Sequence, residues 1–163
     1  MAKRNVQIVD PAGANTVPTW RYRTEAAATA IYVGEPVKLK AAASGYVIPL
    51  ADAEPVIGTT TAVVGIAASD STQTATADGV LDVYIPRPGM VYRAKAKSAA
   101  GIDTDAELLA KLNDRVLFDL TSGVYTIDQA AADDAANGVT IIGGNIVTGT
   151  LDFIIRASAT NLN

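Results

Sequence analysis

Apolar and polar residues alternate in short stretches along most of this chain. Between residues 33 and 67, Val37 and Leu39 alternate with Lys38 and Lys40, the period-2 pattern of a strand with one buried face. Gly45 then turns the chain into Tyr46-Val47-Ile48, and Val63-Val64-Gly65-Ile66 supplies a further apolar run. Similar runs, bounded by Gly, Pro and Ser, predict strands at 30–33, 37–40, 46–49, 63–68, 80–85, 90–97, 115–120, 123–127 and 151–157. Short strands at this spacing predict a mainly β chain, folded as a small antiparallel β-barrel or sandwich. Pro86 and Pro88 flank Arg87 and interrupt pairing, which places that segment on a sheet edge or in a loop. The polar, Thr-rich stretch 69–78 suits an exposed loop or hairpin tip.

The period turns helical over 104–113. Asp103 or Thr104 can cap this helix, Asp105 and Glu107 stand in its first turn, and Leu108, Leu109 and Leu112 form its apolar stripe. Lys111 lies near the C-terminal end, where the helix dipole favours a cation. The Ala-rich stretch 128–136 predicts a second, shorter helix, stopped by Asn137-Gly138.

Residues 1–19 follow neither pattern. MAKRNVQIVDPAGANTVPT contains two prolines, a glycine and an Asp-Pro step, and only residues 6–9 look strand-like. The segment reads as an extended N-terminal arm, ordered mainly through contacts with something else, ahead of a single β-rich domain over 20–163. Trp20-Arg21-Tyr22-Arg23 opens that domain, with Trp20 and Tyr22 on one face and the arginines on the other. The lone Trp is expected to be a core or interface anchor.

Composition narrows the chemistry. Of 163 residues 49% are apolar, largely Ala and Val, and only 6% are aromatic, so the core is expected to be small side chains with few large anchors. The chain has no Cys and no His, which removes disulfides, thiolate nucleophiles, Cys or His zinc sites and imidazole catalysis. A net charge of −4 makes no general case for nucleic-acid binding. There is no apolar run of the length a membrane helix needs, and the basic start Met1-Ala2-Lys3-Arg4 is not followed by the apolar stretch of a signal peptide. Synthesis in a cytoplasm is the simplest expectation.

The candidate reactive groups have structural explanations. Asp103 and Asp105 sit at a helix start, and Asp133 and Asp134 lie on a solvated turn. No calcium-binding loop surrounds the first pair, so no metal is expected. Gly143-Gly144 and Gly149 precede a strand and not a helix, so they fit a turn between strands better than a phosphate loop. Ser69 and Ser71 lack a histidine to complete a triad. The expectation is a protein that is not an enzyme and needs no cofactor.

Charge placement points elsewhere. Lys3, Arg4, Arg21 and Arg23 oppose only Asp10 up to residue 23, whereas acidic residues predominate over 103–152. A basic arm and an acidic body can attract each other between copies, the arm can meet an acidic partner surface, or it can be a solvated tail. Arg93, Lys95 and Lys97 project to one face of their strand, a solvent-facing strip with docking or weak nucleic-acid contact as alternatives.

Taken in order, several segments resemble the head decoration (capsid cement) proteins of tailed bacteriophages. The resemblance lies in Gly34-Glu35-Pro36-Val37-Lys38-Leu39, the Gly turn into Tyr46-Val47-Ile48-Pro49, Val64-Gly65-Ile66-Ala67 and the strand over 81–85. It continues through the strands around Val91 and Val116 to Gly143-Gly144-Asn145 and Phe153-Ile154-Ile155. It implies a β-rich virion protein, often a homotrimer, that binds the outside of the capsid through the major capsid protein and stiffens the shell. It also implies that an N-terminal arm touches the shell, in places by adding a strand to a neighbouring sheet. On this reading Lys3, Arg4, Val6 and Ile8 bind the capsid, while Trp20 and Tyr22 anchor the arm or form a subunit interface. The helix over 104–113 departs from the pattern. The alternatives are a tail-tube, fibre or minor capsid subunit, or a carbohydrate-binding β-sandwich that stacks sugars on Tyr32, Tyr46 or Tyr92. No membrane and no specific nucleic acid are expected as partners.

Overall fold

The computed structural model describes residues 6–13, 16–40 and 45–160. Its strands are β1 (Gln7–Asp10), β2 (Thr19–Thr24), β3 (Pro36–Leu39), β4 (Val47–Pro49), β5 (Val63–Ala67) and β6 (Gly79–Tyr84). They continue as β7 (Val91–Lys95), β8 (Arg115–Val116), β9 (Phe118–Thr121), β10 (Val124–Ile127), β11 (Val139–Asn145) and β12 (Thr150–Ile155). A single α-helix, α1 (Asp105–Lys111), lies among the described residues. The strands form two five-stranded antiparallel sheets, ordered β1-β7-β12-β11-β8 and β2-β6-β5-β3-β4, with β9 and β10 pairing as a separate hairpin. A sandwich fits this arrangement and a closed barrel does not. The edge strands β2 and β4 of the second sheet lie near each other, with an isolated bridge between Arg23 and Tyr46.

Burial explains why the chain chose these strands. β5 is buried at every position, as a central strand covered on both faces should be. A bulge at Val64 makes this possible, because Lys38 pairs with Val63 while Val37 pairs with Gly65. Val63 and Ile66 thereby join the main core, and Val64 and Ala67 join a second cluster with Ile31, Val37, Val47, Leu81 and Val83. The few large anchors sit together in the main core. Tyr92 and Phe153 stack at 5.7 Å, and Phe118 meets Phe153 and Tyr125 edge-on at 5.5 and 6.3 Å.

α1 starts as its sequence predicts. The Thr104 hydroxyl accepts the Glu107 amide and the Glu107 carboxylate accepts the Thr104 amide, a reciprocal cap. Its apolar stripe is narrower than expected, for Leu108 and Leu112 pack on the main core while Leu109 is 65% exposed.

Three further expectations need correction. Residues 128–136 form turns and no helix. Asp128 accepts the Ala130 amide, Asp134 accepts the Ala136 amide, and Asn137 donates to the carbonyls of Ala132 and Arg115. These short polar side chains offer the backbone local partners that compete with the helical ladder. Residues 30–33 form no strand, because polar groups of the 69–78 loop hold them instead. The Ser71 hydroxyl accepts the Ile31 amide and Asp70 accepts the Val33 amide. Gly143 and Gly144 lie inside β11, after a bulge, and the turn falls over 146–149. At Gly144 a Cβ would stand 2.7 Å from the Thr150 carbonyl oxygen and 3.0 Å from Leu108, so glycine lets α1 approach the sheet.

Candidate functional site: the N-terminal segment and its cleft

The described part of the N-terminal segment is ordered on its own chain. β1 lies at the edge of the first sheet and pairs with β7, Gln7 opposite Arg93 and Ile8 opposite Tyr92. Val6 is buried in the main core, its amide donating to the Gly34 carbonyl at 3.2 Å, and Ile8 packs against the same core. Apolar burial at alternate positions fixes the strand, and full burial of a Val or Ile side chain contributes about 1.5–3 kcal/mol. Val6 and Ile8 therefore hold the arm to the body. Lys3 and Arg4 lie outside the described residues.

The segment's described residues border a cleft of about 690 Å³ shared with the second sheet. Val6, Ile8 and Val17 line one side, and Val33, Ile66, Ala67 and Tyr84 line the other. The connection from β1 to β2 also meets the turn at 86–89. The Ile85 amide donates to the Pro18 carbonyl at 3.1 Å, and a Cβ on Gly89 would lie 3.7 Å from that of Ala12.

Trp20 and Tyr22 do not share the arm's surroundings. Both lie on β2, opposite Val83 and Leu81. Tyr22 packs against the second cluster, whereas Trp20 is 57% exposed. A core role for Trp20 is thus overturned: β2 is an edge strand, and Trp20 lies near its start, where the sheet gives its ring little cover. The register leaves it exposed on a sheet face.

The cations expected to be solvent-facing are tied to the fold. Arg21 and Asp82 stand opposite each other and form a two-point ion pair at 2.8 and 3.2 Å. Arg93 and Asp152 do the same between β7 and β12 at 2.6 and 2.8 Å. Arg23 binds Asp78 at 2.7 Å and lies over the Tyr46 ring, 4.7 Å from its centre. Lys97 bridges Asp119 and Asp128 at 2.8 and 2.9 Å, and these two hydrogen bonds raise its pKa. Burial opposes ionisation of Asp119, but hydrogen bonds from Lys97 and Thr121 outweigh it and lower its pKa. Lys95 donates to the Thr148 carbonyl.

In the acidic pairs Asp103, Asp133 and Asp134 are likewise engaged. Asp133 accepts both the Arg115 guanidinium and the Arg115 amide, which lowers its pKa to about 2. Asp103 shares a hydrogen bond with Glu107, which raises the Asp103 pKa and lowers that of Glu107. Ser69 and Ser71 accept the amides of Asp82 and Ile31. Among the described residues no group of three Asp or Glu side chains is placed to hold a metal ion. No described helix is long and apolar enough to cross a membrane.

For sugar stacking, Tyr92 is corrected outright because it is buried in the main core, where desolvation raises its pKa. The Tyr46 hydroxyl donates to Asp78 at 2.6 Å beneath Arg23, and Tyr32 is 38% exposed. Sequence reasoning missed the cleft, whose lining residues share no local pattern. Compared with protein-family models, characterised proteins and solved structures, the chain matches none.

Proposed function

We propose that this chain is a structural virion protein that binds the outside of a phage capsid, through the major capsid protein, and stabilises the shell. The observation that carries the reading is how the polar side chains are used: cross-strand pairs such as Arg21–Asp82 and Arg93–Asp152 tie strands together, and Lys97 ties β7 to the β9–β10 hairpin. Charge arranged this way makes a stiff, passive body. Lys3 and Arg4 precede β1 in the sequence, and β1 lies on the edge of a sheet. The mechanism is additive, many copies each making a modest contact and gaining strength through multivalency. A homotrimer with Trp20 at the subunit interface fits the exposure of that ring.

Co-sedimentation with undecorated capsids tests the proposal. The chain pellets with the shells, and Lys3→Glu with Arg4→Glu weakens binding while leaving the melting temperature unchanged. A chain that stays in the supernatant at every ratio overturns it. Removing residues 1–19 is unsuited to this purpose, because it also strips β1 from β7 and Val6 from the core.

A further inference from the structure

We propose that β1 is an exchangeable strand: the β1 of one copy of this chain pairs with the β7 edge of a second copy and completes the first sheet there. The partner of the β7 edge is thus residues 6–10 of another copy. The inference rests on the capsid reading only for the expectation that the chain self-associates.

The first observation is how β1 is held. It is a four-residue strand on a sheet edge, with β7 as its neighbour in that sheet. Val6 is buried in the main core, Ile8 packs against the same core, and the Val6 amide donates to the Gly34 carbonyl. The β1 of another copy makes each of these contacts equally well. Their energy therefore cancels between the closed and the exchanged form, and the connection after β1 decides between them.

The second observation is the start of that connection. The chain leaves β1 through a turn in which Ala12 has φ 58° and Gly13 φ 76°. Gly13 takes this left-handed region freely, but there the Cβ of Ala12 crowds the following carbonyl oxygen. Asp10-Pro11 favours a different course, because Pro11 has its φ fixed by the ring and biases Asp10 towards extended backbone. Opening the turn continues β1 outward and relieves Ala12. It costs the 2.8 Å bond from the Ala12 amide to the Asp10 carboxylate. A short hinge under strain favours exchange over closure.

The third observation is packing. Pro11, Thr16 and Val17 border the cleft of about 690 Å³, with Ile66, Ala67 and Tyr84 also lining it. Close packing against the second sheet, which would resist opening, is incomplete there. Residues 11–18 span at most about 29 Å when extended, enough to carry β1 to an adjoining copy. Handed from copy to copy, such a strand closes a ring, as the proposed homotrimer requires.

The test is refolding of an equimolar mixture of ¹³C-labelled and unlabelled full chains at high concentration, read by isotope-filtered NOE spectroscopy. Ile8 and Tyr92 stand opposite each other in the β1–β7 ladder, so their contact reports which chain supplies the strand. Exchange predicts Ile8–Tyr92 contacts between labelled and unlabelled chains, in a fraction that grows with concentration. Ala12→Gly relieves the turn without touching the ladder and lowers that fraction by roughly fivefold at matched concentration. The chain has no Cys, so disulfides between chains cannot imitate the result. Contacts confined within single chains at every concentration overturn the proposal. So does self-association without Ile8–Tyr92 contacts between chains. An unchanged fraction in Ala12→Gly also overturns it, because the hinge then does not drive exchange. No capsid is present, so strand exchange and the capsid reading fail separately.

Discussion

Lys38 and Glu54 show how much of this fold depends on single polar pairs. The Lys38 ammonium lies 2.5 and 2.7 Å from the two Glu54 oxygens, with side chains only 15% and 11% exposed. Glu54 also accepts the Ala51 amide at 2.7 Å, and its carbonyl accepts the Phe118 amide. The pair thus fixes the β4–β5 connection against both β3 and the β9 hairpin. Removing one partner strands a largely buried charge, so Lys38→Met is expected to destabilise the protein by about 3 kcal/mol in urea unfolding. Adding Glu54→Leu recovers most of that loss, because an apolar pair leaves no charge unpaired. At the surface, Asp133 is a pH-dependent tie. Its carboxyl is held at about 2, below its ordinary 3.8, so its contribution is fully present above about pH 4 and disappears as pH falls towards 2. The gap in urea midpoint between the native chain and Asp133→Asn is therefore expected to close over that interval. A constant gap assigns the effect to packing.

At the scale of elements, legibility followed the source of the information. Eight of the nine expected strands exist because alternation at positions such as Val37 and Leu39 reports burial directly. The helix at 104 was legible from its capping residues together with the spacing of Leu108 and Leu112. The segment 128–136 was misread because alanine propensity was weighed and the Asp and Asn side chains bonding nearby backbone were not. Gly143-Gly144 was misread because the reason for glycine lies outside the strand, in Leu108 and the Thr150 carbonyl. That contact is testable. Gly144→Ala is expected to cost about 1–3 kcal/mol in unfolding free energy. Leu108→Ala in the same chain relieves only the part of the clash that the flexible leucine causes, since the Thr150 carbonyl remains.

For the whole molecule, the sequence carried the fold class and not the location of the site. The cleft is assembled from residues near 6, 17, 33, 66 and 84, and no local pattern ties these together. The cationic strip was visible as a strip, but its carboxylate partners on β12, β9 and the turn after β10 were not. The resulting body is closely cross-tied, and its exposed apolar side chains include Trp20, Leu109 and Val147. Such a body suits the repeated passive attachment to a capsid proposed above. Electron microscopy of the purified protein mixed with empty capsids from its source tests it most directly. Added density is expected at symmetry-related sites on the outer surface, with residues 1–5 facing the shell. Capsids that stay bare at saturating protein, or density confined to tails or fibres, contradict it.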